Sequence, residues 1–161
     1  MYTQEDQKKI DSMLAKRWWI TTVPAVITLA AAIAIFVYGQ LNRNDVLWMV
    51  TVALTLLGGG YFLFLYGVYV RPARIYRKHV YYMLNGRMRE TTGVFKFLSE
   101  DMSDHDGLEC YAMLVNVGEK NDPEDDRLFY YDACKERPTL SIGDHVTVLS
   151  NDKMVSSMKA A

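Results

Sequence analysis

Two windows of the chain, Trp18 to Asn42 and Val46 to Val70, hold no Asp, Glu, Lys or Arg over 25 residues each. A helix of that length covers about 37 Å at ~1.5 Å per residue, enough for a hydrocarbon core of about 30 Å. Trp18-Trp19 and Tyr38 bracket the first window as an interfacial aromatic belt, and Pro24 inside it predicts a kink or a helix start. Only Asn42, Arg43, Asn44 and Asp45 are polar between the windows, so residues 18–70 read as a two-helix transmembrane hairpin. In the second window Gly58, Gly59 and Gly60 mark close helix packing or a hinge, with Ala30 and Ala34 in the small-xxx-small spacing that would meet them.

The flanks change period. Residues 1–17 pattern as an interfacial amphipathic helix, with Thr3 and Asp6 in capping spacing and Ile10, Met13 and Leu14 on one face. Residues 71–89 pattern as a juxtamembrane helix restarted at Arg71-Pro72 and stopped at Asn85-Gly86, with Tyr76, Val80, Met83 and Leu84 on one side. From 90 to 161 short strand patterns alternate with turn signals: Thr91–Leu98, Leu108–Val117, Leu128–Tyr131, His145–Leu149 and Met154–Met158. Phe95 and Phe97 are expected on one face of the first, with Lys96 between them. Five short strands in about 70 residues bury little as an open sheet. The expected fold is therefore a membrane hairpin followed by a small all-β barrel, oligonucleotide-binding-like or SH3-like.

Charge sets the expected placement. Lys8, Lys9, Lys16 and Arg17 precede the first window and Arg71, Arg74, Arg77 and Lys78 follow the second, while the loop holds Arg43 alone. The positive-inside rule puts both termini in the cytoplasm, in an inner or plasma membrane. Labels at Asn42 or Asn44 should then react from outside, and labels at Asn121 or Asn151 should not. A cleaved signal peptide ending near Ala30-Ala31-Ala32 competes for the first window, but the apolar run continues to Tyr38 and a second follows at once. Arg71, Arg74, Arg77, Lys78, Arg87 and Arg89, uninterrupted by an acid, suit an anionic leaflet, at about 1 kcal/mol for each base near the surface. Glu90 onward reverses the sign: seven bases against fifteen acids, a balance that disfavours nucleic acid as a partner.

Cys110 and Cys134 read as packed thiols in a reducing compartment, and His79, His105 and His145 fall on separate elements without zinc spacing. Aligning Gly107 with a calcium-loop glycine puts Met102 and Met113 at ligand positions, so Asp101, Asp104 and Asp106 read as a solvated turn. Asp122, Glu124, Asp125 and Asp126 read as a solvent-facing loop in preference to a weak ion site. No nucleophile with an adjacent base and no phosphate-binding glycine loop appears, so neither an enzyme nor a cofactor nor a metal is expected. Aromatics exceed what five small strands can bury, which nominates Tyr111, Phe129, Tyr130 and Tyr131 as partner contacts.

A membrane hairpin followed by a small barrel, with the Gly-Asp turn of Ile142-Gly143-Asp144 opening the strand His145-Val146-Thr147-Val148, resembles the layout of the NfeD-like membrane proteins. That resemblance implies a barrel serving assembly with membrane proteases or stomatin-type scaffolds, and it assigns no residue a role. The expected function is a lipid-embedded anchor presenting an acidic module to another protein or to a second copy of itself. The alternative is a homo-oligomeric channel or transporter subunit, its pore lined by threonine-bearing faces and hinged at Gly58 to Gly60.

Overall fold

The structure is a computed structural model describing residues 1–118 and 122–160, so Asn121 lies outside the described residues. The chain divides into two compact units, Lys9–Arg74 and the pair of segments Met1–Lys8 and Ile75–Ala161.

In the first unit, α1 (Gln4–Leu41) and α2 (Val46–Leu65) are joined by a four-residue turn, and both helical stretches are long and apolar enough to cross a membrane. The amphipathic start and the first apolar window form one continuous helix, which runs through Pro24 without the expected break. Its capping box is closed by Thr3 and Asp6: the Asp6 amide donates to Thr3 Oγ1 at 3.2 Å and the Thr3 amide to Asp6 Oδ2 at 3.0 Å. Proline at 24 supplies no N–H to the Ile20 carbonyl one turn earlier. That carbonyl instead accepts the Tyr61 hydroxyl of α2 at 3.0 Å, so the neighbouring helix satisfies what the proline leaves open.

Within the two spans the buried positions are Thr21, Ala32 and Gly39 on α1 and Gly58 on α2, and a Cβ at Gly39 would lie 3.0 Å from Leu47. Gly58 sits where the backbones approach: a Cβ there would lie 2.5 Å from Thr28 Oγ1, whereas Gly59 and Gly60 face open space. Ala30 and Ala34 are exposed, so the small-residue partner of Gly58 is Thr28. A π-helical turn (Tyr66–Val70) carries α2 into α3 (Arg71–Asn85), and the Arg71 amide donates to the Tyr66 carbonyl five residues back. The wider turn accommodates Pro72, which cannot pair with the carbonyl of Val68.

The second unit holds a mixed five-stranded sheet of β1 (Arg89–His105), β2 (Leu108–Asn116), β3 (Asp126–Asp132), β4 (His145–Asn151) and β5 (Met154–Ala160). The pairing order β1-β2-β3-β5-β4 returns to β1, so the sheet closes on itself. All pairs are antiparallel except β3 with β5, which meet in parallel at Tyr130 and Met154. One long strand serves two partners: Arg89 to Val94 pair with β4, and Val94 to His105 with β2. Where β1 crosses from one to the other stands Gly93, and any Cβ there would strike the Asn116 carbonyl oxygen. The core is Phe95, Met113, Val115, Phe129, Tyr131, Val146, Val148 and Val155, one side of each strand.

Two bulges interrupt β1. The first places Lys96 between the pairs Phe95↔Val115 and Phe97↔Leu114. An extra residue inverts the alternation beyond it, so Phe95 is buried while Phe97 is 53% exposed, against the expectation that both share a face. Lys96 then reaches Asp126 Oδ1 at 2.9 Å. The hairpin turns are tight: Asp106 and Gly107, and likewise Asp152 and Lys153, have positive φ. In the acidic loop, Asp122 accepts the Glu124 amide at 3.2 Å and Asp126 accepts the Asn116 amide, which commits two of the four acids to the fold.

Candidate functional site

Alternation turns Cys110, Ala112 and Leu114 of β2, and Asp132, Tyr130 and Leu128 opposite them on β3, to the outer side of the sheet. One end of this face is closed over by the chain itself. Asp132, 3% exposed, accepts the Tyr2 hydroxyl at 2.8 Å and the Tyr76 hydroxyl at 3.0 Å on Oδ2, and the Cys134 amide at 2.8 Å on Oδ1. Three neutral donors thus satisfy one buried carboxylate. Two of them come from segments remote in sequence, the N-terminus and α3.

Tyr2 also lies 2.9 Å from Nε2 of His79, itself 7% exposed and on the same helix as Tyr76. Since the single phenol proton points to Asp132, His79 Nε2–H donates to the Tyr2 oxygen, and the chain runs imidazole to phenol to carboxylate. Burial, with the Asp132 charge beside it, pushes both phenols far above the ordinary tyrosine range, so both stay protonated and donate to Asp132. Burial holds His79 below the ordinary histidine value, outweighing the opposite pull of Asp132. Lys135 completes the attachment, reaching Asp6 Oδ2 at 3.0 Å and standing 5.0 Å above the Tyr2 ring. Beneath Tyr2 lie Met83, Cys110, Met154, Leu108 and Tyr130.

Beside this junction a cavity of about 450 Å³ opens between α3 and the two hairpin turns. Lys78, His79 and Tyr82 line it from the helix, and His105, Asp106, Asn151 and Asp152 from the turns. In oligonucleotide-binding folds these two turns and the face of strands 2 and 3 take up the ligand. Here α3 is fastened across them, the Ser156 hydroxyl donating to the Met83 carbonyl at 3.2 Å and the Asn151 amide to the Arg87 carbonyl at 2.9 Å.

The other end of the outer face is bare. Phe97, Leu114 and Leu128 are in register on β1, β2 and β3, with Phe97 53% and Leu128 40% exposed. Of the four aromatics nominated from the sequence, Phe129 and Tyr131 belong to the core, and the Tyr131 hydroxyl donates to the Glu136 carbonyl at 2.6 Å. Neither can serve as a partner contact, because strand parity turns both inward. Tyr130 is half-buried with its ring stacked 3.8 Å from that of His105, and Tyr111 lies half-buried under the Arg137 guanidinium at 4.2 Å. Phe97 and Leu128 are the exposed pair that sequence reasoning missed.

The six bases Arg71, Arg74, Arg77, Lys78, Arg87 and Arg89 are all exposed, Arg74 donating to the Tyr66 hydroxyl at 3.0 Å and Lys78 standing 5.8 Å from the Tyr82 ring. The hydroxyls of Thr21, Thr28, Thr51 and Thr55 donate to carbonyls of their own helices. Compared with known proteins, the chain matches no family model, no curated protein and no solved structure.

Proposed function

We propose that the chain is an integral membrane anchor, both termini cytoplasmic in a plasma or inner membrane, presenting a small acidic β-barrel of the oligonucleotide-binding type to a partner protein. The observation carrying this reading is the split outer face: its turn-flanked end is covered by α3 and Tyr2, while Phe97, Leu114 and Leu128 stand in an uncovered row. An apolar row of this kind on a soluble module is a protein contact by default. The surplus of acids over the whole segment makes the partner an apolar ridge with a basic rim. The exposed bases of α3 and its flank, Arg71 to Arg89, serve anionic lipid.

A photo-crosslinking residue at Leu128 tests this in intact cells, with one at the exposed Glu136 as reference. Crosslinks to a second polypeptide from Leu128 and none from Glu136 are expected; equal yields, or none from Leu128, would refute it. Crosslinks joining two copies of the chain would move the assignment to the oligomeric subunit. Labelling of the native, exposed Cys134 only after permeabilisation, against ready labelling of Asn44→Cys from outside, checks the placement.

A further inference from the structure

We propose that Met1–Lys8 is a strap across the β2–β3 face, latched by the Tyr2–Asp132 hydrogen bond and released by acid through His79. Tyr2 gives its proton to Asp132, its oxygen faces His79, and Asp6 reaches Lys135. Tyr2 is half-buried over Cys110, which is fully buried although it points outward from a strand. What the strap covers is therefore apolar and belongs to the same outer face as the bare row.

The charges around the latch set the direction of the response. From α3 come Tyr76, on Asp132, and Lys78, beside the cavity. Across that cavity the turns contribute His105, Asp106 and Asp152. The end of β3 contributes Asp132, the segment after it Cys134, Lys135 and Glu136, and β2 contributes Glu109 and Cys110. The strap adds Asp6, which Lys135 holds in its charged form below the usual carboxylate range.

His79 faces the phenol and not a carboxylate, and its burial depresses its proton affinity in the latched state. In the released state it titrates near the ordinary value of about 6.5. Protons therefore bind the released state more tightly. The latch is fully favourable above about pH 6.5 and weakens as pH falls below it, until His79 charges in the latched state as well.

Cys110 reports release directly. Its thiol is covered by the strap, and burial pushes its pKa up to about 12. In the full chain in detergent, carrying Cys134→Ser, the rate of maleimide labelling at Cys110 in denaturant is divided by the rate in the native chain at the same pH to give a protection factor. Protection should fall between pH 7.5 and pH 5.5, by at most about tenfold, the limit for a group of ordinary pKa about 6.5 that takes up its proton in the released state alone. His79→Gln, whose amide can still donate to Tyr2, should hold protection constant to within about twofold, since no proton is then taken up. Tyr2→Phe should lower protection at pH 7.5 while leaving the circular dichroism of the full chain unchanged. The proposal is overturned if wild-type protection is the same at both pH values, if His79→Gln keeps the full pH dependence, or if lost protection is accompanied by lost circular dichroism, which would mean unfolding. None of these readings depends on a partner, so the strap and the partner site fail separately.

Discussion

Tyr61 and Pro24 should be energetically coupled, because one repairs what the other leaves open. Tyr61→Phe removes the hydroxyl that donates to the Ile20 carbonyl, which Pro24 cannot serve. Interhelical hydrogen bonds between membrane helices are worth about 0.6 kcal/mol on average and up to about 1.7, and the lost donor here also strands a carbonyl, so a cost near 1 kcal/mol is expected. Pro24→Ala supplies an N–H to Ile20 from within α1. In that background Tyr61→Phe should cost nearly nothing, giving a coupling of about 1 kcal/mol across the four-variant cycle. The assay is reversible unfolding of the full chain in detergent, with Tyr38→Phe as the control for losing an exposed phenol. Costs that add to within about 0.3 kcal/mol would refute the reasoning and reduce Tyr61 to an interfacial aromatic.

Gly58 and Gly59 should respond with opposite signs in the same assay: Gly58→Ala drives a methyl against Thr28, whose hydroxyl is already held by Pro24 and Ala25, and should cost about 1–3 kcal/mol. Gly59→Ala meets open space and should gain up to about 1 kcal/mol from helix propensity. Across the bulge, thermal unfolding should find Phe95→Ala costing about 3–5 kcal/mol and Phe97→Ala staying within about 0.5 kcal/mol, although simple alternation would make them equal.

How much of this was legible in the chain depends on whether the determinant is local. A 25-residue window without charge has one physical solution at this length, so the helices could be read directly. The strands followed from period and turn residues, and all five lie near their expected places. Failures began where one residue changes a parity. Lys96 looks like an ordinary strand residue, yet it is the extra residue of a bulge, with its ammonium on Asp126 and Phe97 turned outward beyond it. Parity alone separates Tyr130 from Phe129 and Tyr131, a distinction available in the sequence once the strand is accepted. The continuity of α1 through Pro24 rests on a hydroxyl 41 positions away, which no local window contains. The Asp132 junction is more distributed still, joining positions 2, 76, 79 and 132; its one signal was an acid ending the apolar run Leu128 to Tyr131.

The arrangement around Asp132 ties the two proposals together. Exposure along the outer face changes in one direction: Asp132 is buried, Tyr130 half-buried and Leu128 40% exposed on β3, while Cys110 is fully buried and Leu114 half-buried on β2. Strap and bare row therefore divide a single apolar surface. The strap's own hold on the carboxylate is one hydrogen bond, from Tyr2, worth about 1.5–3 kcal/mol because the acceptor is charged, with the Asp6–Lys135 pair beside it. The latch is thus strong enough to hold at neutral pH and small enough for one histidine to shift its balance measurably. Releasing Met1–Lys8 would extend the uncovered face from Phe97 and Leu128 toward Tyr130 and Cys110. A partner reading only the row would bind alike with the strap on or off, whereas one that spans the whole face would bind more tightly to Tyr2→Phe than to wild type. Comparing those two affinities at pH 7.5, where His79 is neutral in both, separates the cases without any change of proton concentration.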